Sequence, residues 1–225
     1  SSTNAITQDA GYTNLGTGNG SPAVDYRNGK VFIAVKNSSN TVSVRFATVS
    51  GSSVSWGSWV TVSTGIAEVD VAWVSDTTAV AVFGNNDDTK GSSVAFTIGS
   101  GSSDVTVTSQ GSVEHFQGSY NARYPKVYWD DYIDRLVLSY HDNTNSTNGW
   151  ISQLGSISGN SVTWDSNTVT NNVASSDMKD NVDNLNDTTN NRQIVIGTWQ
   201  HTGDSSYGTS TFVVETSDLS TNGQS

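Results

Sequence analysis

Four stretches decide how this chain is read: VFIAVKNSSN at residues 31–40, AVAVFGNNDD at 79–88, LVLSYHDNTN at 136–145 and IVIGTWQHTGD at 194–204. Each is a short apolar run, rich in β-branched residues, that breaks into Asn, Asp, Ser, Thr and Gly. A buried strand running into a polar loop has this pattern. Their starts lie 48, 57 and 58 residues apart, so the search for self-similarity comes before any local assignment. Working outward, a second short strand precedes each run: residues Pro22 to Tyr26, Val69 to Trp73, Pro125 to Trp129 and, more weakly, Asn181 to Asn184. A third strand follows and ends in a turn that recurs almost verbatim, Ser50-Gly-Ser-Ser-Val-Ser-Trp56 and Ser158-Gly-Asn-Ser-Val-Thr-Trp164. The related Ser100-Gly-Ser-Ser-Asp-Val-Thr106 carries one extra residue.

Composition agrees with an all-β chain. The 225 residues hold 27 Val against 6 Leu and a single Met, a strand composition and a poor helical one. Only 14% of residues are charged and only 2 are Pro, against 21 Gly, so Gly and Asn make the turns. The net charge of −11 is spread along the chain and repels phosphate backbones, which argues against a nucleic-acid partner. No apolar run of about 18 residues suits a membrane helix, so membrane insertion is not expected. The absence of Cys removes disulfides and thiolate chemistry, and suits the cytosol or a virion or microbial surface equally.

Four strands in a unit of this length, repeated, predict a β-propeller of four blades with four antiparallel strands each, because one such sheet cannot bury both faces alone. The expected units are 18–64, 65–120, 121–176 and 177–225 within a single domain, 1–225. The fourth unit ends without its Ser-Gly turn and last strand, and residues 4–8, within the N-terminal segment 1–17, are the candidate closing strand. An excerpt of a longer array and a β-sandwich of hairpins are the competing architectures. In the propeller reading Tyr26, Trp73 and Trp129 share one position, Trp56 and Trp164 another, and all five fill the space between blades. Trp59, Trp150 and Trp199 break the pattern and are expected at the surface.

The unit built from Pro-x-Val-x-[Tyr/Trp], a Val/Leu strand ending near Tyr140-His-Asp-Asn, and Gly155-Ser-Ile-Ser-Gly-Asn-Ser-Val-Thr-Trp164 resembles the repeats of tail-associated and other virion surface proteins of aquatic tailed phages. That resemblance covers nearly the whole chain and implies a structural or host-recognition protein on a virion surface, or an extracellular one. Asn184 stands where the fourth unit should carry its aromatic. Separately, Thr7-Gln-Asp-Ala-Gly-Tyr-Thr13 resembles one Asp-box of sialidase-type propellers, with Asn14 in place of the aromatic. The box is structural even in that family and implies no catalytic residue.

Catalytic signatures are missing from the sequence itself. His115, His141 and His201 have no close metal-ligand spacing, and no Gly-x-Ser-x-Gly elbow occurs. Asp130, Asp131 and Asp134, and then Asp177, Asp180, Asp183 and Asp187, form two clusters in Asn- and Ser-rich segments, read as turns capped by their own side chains. The most suggestive feature is the loop between the second and third strands: Gly84 to Gly91, His141 to Gly149 and Gln200 to Gly208. Equivalent loops of a propeller leave one face, which would bring together Asn85, Asp87, Asp88, His141, Asp142, Asn143, Asn145, Trp150, His201, Asp204 and Tyr207. Amide and carboxylate oxygens beside an occasional aromatic suit a shallow carbohydrate site. Asp87, Asp88, Asp142 and Asp204 are also candidate Ca²⁺ ligands, while plain hairpin chemistry accounts for the same composition. Asn37, Asn145 and Asn186, and with Pro22 close behind it Asn19, begin glycosylation sequons. The expected function is therefore non-enzymatic binding of surface polysaccharide or glycan, or of other virion or filament subunits. A glycan-cleaving enzyme on the same scaffold and a purely structural subunit are the rivals.

Overall fold

The computed structural model describes residues 22–37, 39–63, 66–85, 91–101, 104–116, 122–142, 149–172, 176–187, 192–201 and 207–215, and from residue 169 onward the backbone alone. The regular structure among them is entirely β-strand. The first sheet holds β1 (Ala23–Arg27), β2 (Lys30–Lys36), β3 (Val42–Ser50), β4 (Ser53–Trp56) and β5 (Val60–Ser63). The second holds β6 (Ile66–Ser75), β7 (Thr78–Asn85), β8 (Ser92–Ile98), β9 (Val107–Gln110) and β10 (Glu114–His115). The third is β11 (Ala122–Asp130), β12 (Arg135–Asp142), β13 (Gly149–Ser158) and β14 (Ser161–Asn172); the fourth is β15 (Ser176–Asp187), β16 (Arg192–His201) and β17 (Tyr207–Glu215). All pairs are antiparallel, and the four stretches that opened the sequence reading fall on β2, β7, β12 and β16.

Local chemistry explains the turns. Gly51 and Gly159 sit at φ +59° and +60° in the two Ser-Gly turns, a conformation that costs a side-chain-bearing residue a backbone clash. The outer strand of the first two sheets is not the single strand expected. It breaks into β4 and β5 where the Gly57 N–H turns to the Phe46 carbonyl (2.9 Å), and into β9 and β10 where the Gly111 N–H turns to that of Ala95 (2.8 Å). Glycine fits both breaks because the chain bulges there and approaches a neighbour closely.

Packing follows strand alternation. Residues 79–83 of β7 are an unbroken apolar run, fully buried, because the two faces of the strand serve different cores. Ala79, Ala81 and Phe83 join Phe32, Phe46, Trp73 and Phe96 between the first and second sheets. Phe32 stacks on Phe46 at 4.4 Å, and Trp73 meets both edge-on at 6.0 and 5.5 Å. Val80 and Val82 face the other way and join Phe116, Leu136, Leu138, Tyr140 and Val162 between the second and third sheets. Each such side chain contributes on the order of 1.5–3 kcal/mol. Along the opposite edge of the packing, β6 lies against β1 and β2, β11 against β6 and β7, and β15 against β11.

Several expectations are corrected by this arrangement. Tyr26, expected in the core with Trp73 and Trp129, is 61% exposed. Trp73 and Trp129 stand on the face of their sheet turned to the preceding one. Tyr26 has the same orientation, but on the outward face of the first sheet. Trp56, on that outward face opposite Ala47, is half-buried and stacks with the Arg45 guanidinium at 5.2 Å. Trp150, expected at the surface, is 1% exposed, because β13 is buried on both faces. Trp59 is exposed as expected. The side chain of Trp199, the closing strand at residues 4–8 and the chain after residue 215 lie outside the described residues.

Candidate functional site

Along the edge where β1, β6 and β11 meet, backbone and carboxylates stitch successive sheets together. Asp25 of β1 accepts the Trp73 N–H of β6 at 2.7 Å, and Asp70 of β6 accepts the Val127 N–H of β11 at 2.9 Å. Lys126 stands 3.9 Å from Asp70. Burial pushes the Asp70 carboxyl up to about 6, against the pull of Lys126 and of the Val127 and Val71 N–H groups; the charge of Asp25 adds to the rise. Near one end of these strands the Arg27 guanidinium lies 3.7 Å from Asp76 of the second sheet and 3.2 Å from Asp131 of the third. Asn28 donates to Asp76 at 2.7 Å. Buried Lys30 donates to the Asp76 and Gly99 carbonyls at 3.1 and 3.2 Å. Asp130 caps its own turn as expected, accepting the Tyr132 N–H at 2.9 Å. The second Asp cluster lies on strand β15 instead of in a turn. Burial, then the charge of Asp130, raises the Tyr128 phenol above its ordinary range.

The other end of each sheet carries the loops joining second to third strands. Asn85 ends β7, Asp142 ends β12, His201 ends β16 and Tyr207 begins β17, so these four stand at the roots of their loops. Asp87, Asp88, Asn143, Asn145 and Asp204 lie outside the described residues, as does the side chain of Asp142. His141 and Trp150, placed by sequence among the loop groups, are instead cross-strand partners, 2% and 1% exposed, with ring centroids 6.1 Å apart. Strand alternation sets both on the face of the third sheet turned away from the second, with the buried Ser139–Ser152 hydroxyl pair (2.8 Å), and both are buried there. Asn37 spends its side-chain oxygen on the Ser39 and Thr41 N–H groups, both at 2.9 Å, capping the first loop. Asn186 pairs with Gln193 on β15 and β16. Among the described residues no three His, Asp or Glu side chains gather as a metal site.

No family model and no curated protein matches this chain.

Two further constellations have no signal in the sequence, because their members are far apart along it. Ser92 Oγ lies 2.9 Å from His115 Nδ1, across β8 and β10. The distance suits a nucleophile and its base, but Ser92 is 1% exposed and a substrate does not reach its hydroxyl. The second is a cleft between β10 and β14, lined by Glu114, His115, Ser161, Val162, Thr163 and Trp164.

Proposed function

We propose that the chain is a four-bladed β-propeller, one sheet to a blade, acting on a virion or outside a cell as a non-enzymatic recognition protein that grips surface glycan. The face that grips is the one carrying the loops between second and third strands. The architecture rests on the contact of Arg27 in the first sheet with Asp131 in the third, 3.2 Å apart. Face-packed sheets stand about 10 Å apart, so a flat stack would separate the first from the third by roughly 20 Å, beyond an arginine's span. Convergence of the inner edges round an axis accommodates the contact. In that ring residues 4–8 complete the outer edge of the fourth sheet and tie it to the first. Deleting residues 1–9 is then expected to lower the stability of the whole domain by several kcal/mol, on the order of one lost strand's burial. A melting curve identical to that of the unaltered protein would reject the closed ring.

The function rests on the composition of the segments between second and third strands, residues 86–90, 143–148 and 202–206, which are rich in Asn, Asp, Ser and Thr and follow strands ending at Asn85, Asp142 and His201. A single hairpin loop holds too few convergent groups for a specific site, so ligand engages several blades. Replacing Asp87, Asp88, Asp142 and Asp204 together by Ala is expected to abolish retention on immobilised cell-surface polysaccharide. Circular dichroism of that variant is expected to match the unaltered protein, since surface substitutions usually stay within about 0.5 kcal/mol. With Ca²⁺ bridging these carboxylates to an acidic glycan, retention disappears in chelator and returns with added Ca²⁺. Full retention by the four-fold variant sinks the loop-face reading, and full retention in chelator sinks the Ca²⁺ bridge. Release of reducing ends would assign glycan cleavage instead.

A further inference from the structure

We infer that Arg45 is the centre of an anion site that takes the carboxylate of an acidic sugar, a uronate unit of the surface glycan. The choice of a saccharide over an acidic protein rests on the function proposed above. The site lies on the outward face of the first sheet. Register sets Arg45 of β3 opposite Ile33 of β2, on the face away from Phe32 and Phe46 and so away from the second sheet. The same alternation puts Ser43 and its cross-strand partner Thr61 of β5 on that face, two hydroxyls beside the guanidinium.

The guanidinium is held before any ligand arrives. Where β4 gives way to β5 the chain bulges at Gly57, a position where a Cβ would meet the Val105 carbonyl at 3.1 Å. The bulge presents the Gly57 carbonyl to Arg45 Nε, which donates to it at 2.7 Å. It also brings the Trp56 and Trp59 rings to 5.2 and 5.4 Å from the guanidinium carbon. Nε is thereby used, while Nη1 and Nη2 have no partner among the described residues. Neither Nη is buried, so the fork opens to solvent. Arg27, Lys126 and Arg135, by contrast, each have a carboxylate partner.

The surrounding sheet is positive in an acidic chain. No Asp or Glu stands between Asp25 and Glu68, a stretch that carries Arg27, Lys30, Lys36 and Arg45, although the whole chain has a net charge of −11. An anion repelled by the rest of the surface is admitted here. This part of the face is also not built to receive another sheet. The third strand of the second sheet turns Val94, Phe96 and Ile98 to the sheet before it, whereas that of the first turns Ser43, Arg45 and Ala47 outward. The site uses only β3, β4 and β5, and leaves β1 and β2 to the closure of the ring.

A carboxylate matches the open fork, because its two oxygens accept from Nη1 and Nη2 in one plane. Contact with two indoles keeps the guanidinium in place, which lowers the entropic cost of binding. Ser43 and Thr61 offer donors and acceptors to the neighbouring sugar hydroxyls. The site needs none of Asp87, Asp88, Asp142 or Asp204, and no Ca²⁺.

The test is fluorine NMR of the full chain labelled with 5-fluorotryptophan, in chelator, with the Trp56 and Trp59 signals assigned from Trp56→Phe and Trp59→Phe. Digalacturonate is expected to shift at least one of the two signals saturably, and its dimethyl ester, which lacks the charge, to shift neither. Arg45→Gln should weaken the affinity for digalacturonate roughly tenfold. If that variant loses its fold, the comparison of acid with ester in the unaltered protein decides alone. The assignment is overturned by no shift at tens of millimolar digalacturonate, by equal shifts from acid and ester, or by equal affinity in a folded Arg45→Gln. Tighter binding of triglutamate than of digalacturonate would overturn the sugar in favour of an acidic protein. The loop-face reading is scored separately, by polysaccharide retention of the four-fold Asp variant, so either can fail alone.

Discussion

Trp150→Ala is expected to lower the unfolding free energy by about 3–5 kcal/mol, and Trp73→Ala by a similar amount, the cost of emptying a large buried site. Trp73 is 2% exposed and wedged against Phe32 and Phe46, so nearby rings cannot close over the space it leaves. Trp150 is 1% exposed and lies beside His141 on the face of the third sheet turned away from the second. Urea unfolding monitored at unchanged m-value gives both numbers directly. A Trp150→Ala variant within about 0.5 kcal/mol of the unaltered protein would place that indole at the surface and break the face assignment of β13.

Mild acid is expected to stabilise the protein through Asp70. Its carboxyl is pushed up to about 6 from an ordinary 3.8, chiefly by burial. Between those values the folded chain holds a proton that the unfolded chain has released, so the unfolded state binds fewer protons. Stability therefore falls as pH rises through this window, and the contribution is fully present only below the ordinary value. The size is roughly 3 kcal/mol across the window. Other carboxylates titrate there too, so the informative quantity is the difference from Asp70→Asn. That variant keeps an oxygen for the Val127 N–H and removes the titration. The expected result is a flatter stability curve between pH 4 and 7 for Asp70→Asn, which matches or exceeds the unaltered protein at pH 8. Parallel curves for the two proteins would show that Asp70 does not carry the effect.

Strand positions were legible because their causes are local. The apolar run at residues 79–83 bounded by Asn and Asp, and the Ser-Gly turns at Gly51 and Gly159, state where chain extends and where it reverses whatever packs on it. An unbroken run such as Ala79 to Phe83 also announces that both faces will be covered. The capping role of Asp130 is equally local, since its partners Tyr132 and Ile133 follow within three residues.

What the sequence by itself determined is therefore an all-β chain and the places of β2, β7, β12 and β16 along it. Only the tertiary structure decided which face of each strand meets a neighbour. Tyr26 and Trp73 precede similar hairpins, yet one is exposed and the other buried, because burial depends on whether another sheet stands in front. Trp150 broke the sequence pattern and looked like a surface group, yet it is buried beside His141 on the face of the third sheet turned away from the second. Glu114 and Trp164 come together across the cleft, and Arg27 and Asp131 across three sheets, over separations that leave no trace in any short window. Periodicity records the direction of a side chain relative to its own strand; the partner it meets is set by how sheets pack, a property of the whole chain.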